Sequence, residues 1–342
     1  MNHVAIDLGG RESQLCIRQP DGAIVEERKV STRRLPELMK SWTSCRVILE
    51  TSAEAFHIAD AAKAHGHDAR VVPATLVRTL GVGARGIKTD QRDARVLSEV
   101  SCRIDLPSVH VPTAMARELK SMCGGRESLV ETRTKLVNNV RGWLRTQLWA
   151  IRKGSPGTFA TRVRDYAKAQ ARNLPVHIDR QLRVLEIVHE EVLSADRQVK
   201  RLACDHPVCR RLMTVPGVGP VTAVRFVAAI DDAARFPNAH ALESYLGLTP
   251  GERSSSERQR RTGITKAGPS ELRRALVQAA WTAFRISSTD PMAAWATQIA
   301  ARRGKFIAVV ALARKMAGVL FALCRDGTIY CPRHAGPRPT SP

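Results

Sequence analysis

The rhythm of apolar and polar positions changes twice along the chain. Over residues 1–110 the apolar residues come in short runs. HVAIDL, SQLCIRQ and AIVEERKV predict three strands, the last two joined through the turn Pro20-Asp21-Gly22. LPELMKSW has helical spacing, RVILET is an apolar strand, and EAFHIADAAKAHG is a helix that stops at Gly66. ARVVP adds a strand, and after the glycine-rich GVGARG the segment KTDQRDARVLSEVS passes from polar to apolar as a helix. Over residues 111–205 the spacing becomes three to four. Two long stretches, ARELKSMCGGRESLVETRTKLVNNVRGWLRTQLWAI and RQLRVLEIVHEEVLSADRQVKRL, predict charged amphipathic helices separated by the break KGSPGTFATR. Residues 206–330 read as a third, mostly helical unit, and 331–342 as a disordered tail.

The order β-β-β-α-β-α-β-α over 1–110 is that of an RNase H-like fold, so the expected class is α/β plus α. The paired helices of 111–205 have the pattern of a coiled-coil-like hairpin. Their long apolar stripes predict an oligomerisation arm, and hence a dimer or tetramer. No internal repeat is present.

Charge narrows the partners. Lys and Arg number 54 against 32 Asp and Glu, a net +22. That points to a polyanion, with nucleic acid first and small-metabolite chemistry disfavoured. Aromatic residues are only 4% of the chain, which argues for phosphate contacts by Arg and Lys over base stacking. Eight cysteines are scattered without a CxxC pair, as expected in a reducing cytoplasm. Cys204 and Cys209, with only His206 between them, fall short of a zinc ligand set. The start MNHVAIDLGG lacks the features of a signal peptide, and the apolar run 306–324 carries Arg314 and Lys315 at its centre, which suits a buried helix better than a membrane span.

Four acids stand out. Asp7 lies inside the first strand and Glu50 ends the fourth, where a buried carboxylate is costly unless paired or bound to metal. In the expected sheet these strands are neighbours. Asp90 and Asp93, three apart, open the last helix on one face. Four converging carboxylates call for divalent cations, and hard oxygen ligands suit Mg²⁺ or Mn²⁺ for phosphoryl transfer. Taken singly, each acid could equally be a solvated strand end or a helix N-terminal charge.

A second cluster follows LTPGE. Arg253, Arg258, Arg260, Arg261, Lys266, Arg273 and Arg274 surround Ser254, Ser255 and Ser256. Cations crowded round a hydroxyl suit a scissile phosphate. A flexible basic loop with incidental serines remains the alternative. In VPGVGPVTA, Gly217 and Gly219 have the spacing of a helix-hairpin-helix phosphate contact, or of a plain tight turn.

VAIDLGG, VILET, KTDQRDARVLSE, VPGVGPVTA, YLGLTPGERSSS and RRTGITKAGPSELRRAL together resemble the insertion-sequence 110 family of transposases, relatives of the Piv DNA invertase. The resemblance covers roughly residues 1–325. It implies a RuvC-like DEDD catalytic domain over 1–110, a coiled-coil region over 111–205 and a C-terminal transposase domain over 206–330. By motif, the DEDD set falls on Asp7, Glu50, Asp90 and Asp93, and the nucleophilic serine on Ser255, with the run of three serines leaving that position open by one. The basic residues Arg258, Arg260, Arg261, Lys266, Arg273 and Arg274, with Gly217 and Gly219, become the expected nucleic-acid contacts. The resemblance further implies double-stranded DNA partners (element ends and target), a noncoding bridge RNA, and a cytoplasmic, nucleoid-associated protein with no membrane partner. Two other readings stand beside it: a RuvC-like junction nuclease that uses water, and a non-catalytic nucleic-acid-binding protein.

Overall fold

A computed structural model describes residues 1–79, 89–252, 261–286 and 289–332. The chain forms two compact units, 1–112 and 113–342. In the first, β1 (His3–Asp7), β2 (Glu12–Arg18) and β3 (Ile24–Ser31) precede α1 (Leu35–Met39), β4 (Arg46–Glu50), α2 (Ala55–Ala64), β5 (Asp68–Val72), α3 (Ala74–Thr79) and α4 (Asp90–Arg103). The sheet order is β3-β2-β1-β4-β5. β1 pairs antiparallel with β2 and parallel with β4, and β4 pairs parallel with β5. This is a mixed α/β unit with helices on both faces. Val4, Ile6, Val47 and Leu49 pack against Leu35 and Met39 of α1 and Ile58 of α2 on one side. Ala5, Ile48 and Val72 pack against Leu97 of α4 on the other. Parallel central strands flanked on both sides are apolar throughout, which is why VAI and VIL carry no polar alternation.

The second unit is mostly helical. α5 (Ala114–Thr146) and α7 (Val176–Asp205) are the long helices, with α6 (Phe159–Ala169) between them. Then come α8 (Pro207–Leu212), α9 (Pro220–Ile230), α10 (Ala239–Tyr245), the short strands β6 (Pro250–Glu252) and β7 (Arg261–Ile264), α11 (Ser270–Ile286), α12 (Pro291–Arg303) and α13 (Lys305–Asp326). The sequence pattern places a break where α6 forms, because Gly154, Pro156 and Gly157 crowd its approach. It also passes over β6 and β7, which are too short and polar to show a period of two.

The arm has two separate cores. At its tip, Val137, Val140 and Leu144 of α5 meet Phe159 and Val163 of α6 and Ile178, Leu182 and Leu185 of α7. At its base, Leu119 and Cys123 of α5 and Val199 and Ala203 of α7 join the core built by α8 to α13. The sequence divides the chain at 205/206, whereas in the structure the arm and the C-terminal helices belong to one unit.

α13 is long and apolar enough to cross a membrane by length and composition. Here it is a core helix: Leu312, Met316, Ala317 and Leu320 are fully buried. Its charges are accommodated, Arg314 by Glu243 at 2.6 Å and Lys315 over the ring of Trp295.

Candidate functional site

Strand alternation decides where the acids of the first unit point. Asp7 has the parity of Ala5 and Glu50 that of Ile48, so both side chains leave the sheet on the α4 side. The ladder pairs Ile6 with Leu49, which puts Asp7 and Glu50 one residue further on, at the ends of adjacent parallel strands.

The packing of α4 supplies the third acid. Ser101 near its C-terminus meets His3 at 2.8 Å. Ser98 meets Arg18 at 2.9 Å and Cys16 at 3.2 Å. The helix therefore runs back along β1 towards Asp7. Ser101 to Asp93 is eight residues, about 12 Å of helix. His3 to Asp7 is four residues, about 13 Å of strand. The two advances match, and Asp93 comes level with Asp7. Asp93 is buried at 6% exposure, while Asp90, one turn earlier, is exposed.

Both aspartates occupy the first turn of α4, where the helix N-terminus favours negative charge. Thr89 caps that turn, its hydroxyl accepting from the Arg92 amide. A clamp on β3 holds the helix down: Arg95 donates through two nitrogens to the Glu27 carboxylate, and Gln91 donates to it as well. The hydrogen bond from Arg95 holds the Glu27 carboxyl below its ordinary range.

The turn after Asp7 is fixed too. Ser13 and Thr32 share a hydrogen bond of 2.7 Å, and Thr32 donates to the Gly9 carbonyl at 2.6 Å. Gly9 is required there because a Cβ would run into the Glu12 carbonyl. Gln14, buried and directly opposite Asp7 on β2, is a residue that the sequence reading passed over. Its signal was an amide at an inward position between Ser13 and Leu15.

Among the described residues, no three His, Cys, Asp or Glu side chains group closely enough to hold an ion. The fit of this corner to a divalent cation rests on its all-carboxylate donor chemistry and on the placement of Asp7, Glu50 and Asp93 on one face.

Two family models match the chain. The IS110 DEDD model, described as a transposase, covers residues 4–148, and the model for the transposase IS116/IS110/IS902 family covers 209–295. The transposase for insertion sequence element IS1111A of Coxiella burnetii is 26% identical, spanning 96% of this chain and 91% of its own length. The "Putative transposase y4qE" of Sinorhizobium fredii is 32% identical, spanning 76% of this chain and 70% of its own length. The chain belongs to the IS110 family of transposases. Membership makes it the transposase of an insertion sequence, a DNA-cleaving and rejoining enzyme.

In this transposase the serine cluster lies on the connection between β6 and β7. Ser254, Ser255, Ser256, Arg258 and Arg260 fall outside the described residues, as do the tail residues 333–342. Arg261 opens β7. The ground on which that connection stands is a tight backbone strap. Thr265 donates to the Thr249 carbonyl and Lys266 to that of Gly247, at 2.9 and 3.1 Å. Gly247 and Gly268 have φ of +65° and +68°, and a Cβ on Gly268 would collide with the Tyr245 carbonyl.

The expected phosphate contacts divide into two groups. Lys266 is exposed. Arg273, in contrast, donates to the backbone carbonyls of Ala267 at 2.7 Å and Leu246 at 3.1 Å, tying α11 to the strap. Arg274 stands within 3.8–3.9 Å of Glu127, Glu131 and Glu271. Gly219 sits in open space at the N-cap of α9. Gly217, at φ +84°, is required by packing: a Cβ there would meet the Ala279 carbonyl of α11. Cys209 is wholly buried, its thiol pushed up to about 12 by burial, while Cys204 is exposed, so the pair has the character of core and surface.

Proposed function

We propose that the transposase uses a DEDD acidic set on an RNase H-like, RuvC-like domain together with a serine nucleophile. Asp7, Glu50 and Asp93, with Asp90 at the helix start, would hold Mg²⁺ or Mn²⁺. The observation that supports this reading is that strand parity and the packing of α4 set Asp7, Glu50 and Asp93 on one face at one end of the β1–β4 pair. When bound, divalent ions stabilise the charge that builds on phosphodiester oxygens.

Ser255 would attack phosphorus. The Oγ–P bond forms as one P–O ester bond breaks, and the departing strand leaves as a hydroxyl. Attack by a hydroxyl of the joining strand reverses the step, so bond energy is conserved in the phosphoserine. Lys266 and the arginines of 253–261 would gather the phosphate. The further parts of the reading are double-stranded DNA at element ends and target, a bridge RNA that directs the choice of site, and an assembled homo-oligomer. Support for these comes from family membership and from the net charge of +22.

The test is a suicide DNA substrate with denaturing gels. A protein–DNA adduct should form with Mg²⁺ or Mn²⁺ and vanish in Asp7→Asn and in Ser255→Ala, with the circular dichroism spectrum retained. Cleavage without an adduct would favour a water-using junction nuclease. An adduct persisting in Ser255→Ala would move the nucleophile to Ser254 or Ser256. Restored cleavage on mixing the two inactive variants would show that serine and acids act across protomers.

A further inference from the structure

Charge in the second unit is unevenly spread. From Thr132 to Arg164 the sequence contains no Asp or Glu, yet it carries Arg133, Lys135, Arg141, Arg145, Arg152, Lys153, Arg162 and Arg164. A stretch of 33 residues thus contributes +8 to a chain of 342 residues whose net charge is +22. The structure gathers this stretch at the tip of the arm, over the end of α5, the following loop and the start of α6.

The cations are not all used internally. Arg164 is neutralised by Glu186 and Asp179 of α7. Arg162 donates to the carbonyls of Arg152, Ser155 and Thr158, so it builds the loop. Among the described residues, Arg141, Arg145, Arg152 and Lys153 enter no ion pair. All four are exposed, and all four line one cavity of about 820 Å³ together with Trp149 and Phe159.

The same spot concentrates rings. Trp143, Trp149, Phe159 and Tyr166 fall within 24 residues of a chain that is only 4% aromatic. Trp149 contacts both Trp143 and Tyr166 at centroid distances of 5.4 Å and remains half-buried. The Arg141 guanidinium lies 5.5 Å over the Phe159 ring. The tip has its own apolar core beneath, so the cavity stands on a formed scaffold.

We propose that the arm tip is a binding site for an unpaired stretch of nucleic acid, with its phosphates on Arg141, Arg145, Arg152 and Lys153 and a base in the cavity beside Trp149. The cations select a polyanion. A second copy of the tip would meet this surface with like charge and be repelled. The concave shape and the aromatic lining favour a single strand, whose bases are free to enter and stack, over a duplex, whose bases are already paired and stacked on one another. The site shares no residue with the acidic set or the serine cluster, so it stands or falls independently of the proposed chemistry.

The experiment measures binding of short fluorescent oligonucleotides to the full chain by anisotropy as a function of salt. Three probes of one sequence are used: single-stranded RNA, single-stranded DNA and duplex DNA. The test variant is Arg141→Ala/Arg145→Ala/Arg152→Ala, and a control removes equal charge from exposed positions elsewhere, Arg302→Ala/Arg303→Ala/Lys305→Ala. For single strands the test variant should lose about tenfold in affinity, and its slope of log K against log salt should flatten by about 2, near 0.7 for each contact removed. The control should change little, and unfolding of both variants should match the parent. The single strand that binds more tightly identifies the sugar chemistry. Equal losses in control and test variant, or a duplex that binds more tightly than either strand with the same dependence on the tip, overturn the proposal.

Discussion

The base and the tip of the arm are built from the same two helices and treat charge in opposite ways. At the base Arg225 of α9 is 7% exposed and donates to Glu127 of α5 at 2.7 Å. Arg126 meets Asp196 of α7 at 2.6 Å, and Arg274 approaches Glu127 from α11. Each cation has a carboxylate, and the group joins four helices. At the tip the exposed cations face a cavity with no carboxylate among its lining residues. The contrast separates positional charge, which is held by protein partners, from charge presented outward. Net charge alone hides the distinction.

The comparison is most sharply tested at Glu127. Glu127→Ala strips the buried Arg225 guanidinium of its partner, and an orphaned buried charge costs about 3–5 kcal/mol. The melting temperature should fall by roughly 10 °C on the scale of a unit this size. A fall of a degree or two would mean that Arg225 reaches water. Gly217→Ala comes next. It forces a side chain into positive φ against the Ala279 carbonyl, and a loss of about 2–3 kcal/mol is expected by denaturant titration.

A smaller effect belongs to the first unit, where Glu27 is a further positional charge. Its carboxyl is depressed by Arg95, so its stabilising effect is present above the unfolded value and lost as pH falls through the lower folded one. Glu27→Gln should lower the melting temperature slightly at neutral pH, with the difference from the parent vanishing in acid. A difference that grows in acid would reverse the sign argued here. Smallest of all is Arg141→Ala at the tip. With no ion pair to lose, it should shift unfolding by less than about 0.5 kcal/mol. A larger shift would class the tip with the base.

The sequence was most legible where a local rule decides the outcome. Acids ending the apolar runs VAID and VILE stand out in the sequence as charge at the ends of buried strands, and strand parity in the structure turns both towards α4. The order of elements along the chain followed from short turns and alternating units, and the neighbouring of β1 and β4 from the fold class which that order suggests. Local rules say less where a packing partner lies elsewhere in the chain. Arg273 reads as a phosphate contact beside the serines, and its Nη1 also ties α11 to the carbonyls of Leu246 and Ala267, which the sequence does not show. Gly217 reads as a close approach to phosphate, yet the approaching group is α11. The tip was missed for a different reason. The helical period of 111–205 drew attention to its apolar stripe, and the missing acids are visible only when charge is counted segment by segment.

One feature of α5 bears on how the arm behaves as a mechanical object. Between Cys123 and Val137 it has no buried residue, and Gly124 and Gly125 open that span. α7 buries only Val192 between Leu185 and Val199. Each helical glycine costs about 1 kcal/mol relative to alanine, and here charge pairing rather than apolar packing stands against it. Over this span the arm is therefore held by ion pairs, Arg126 to Asp196 and Glu127 to Arg225, in place of an apolar core. Bending of the arm then depends on those pairs: the tip swings more freely as they are weakened, and amide hydrogens over 132–136, beyond them, exchange ahead of those in the apolar cores at either end.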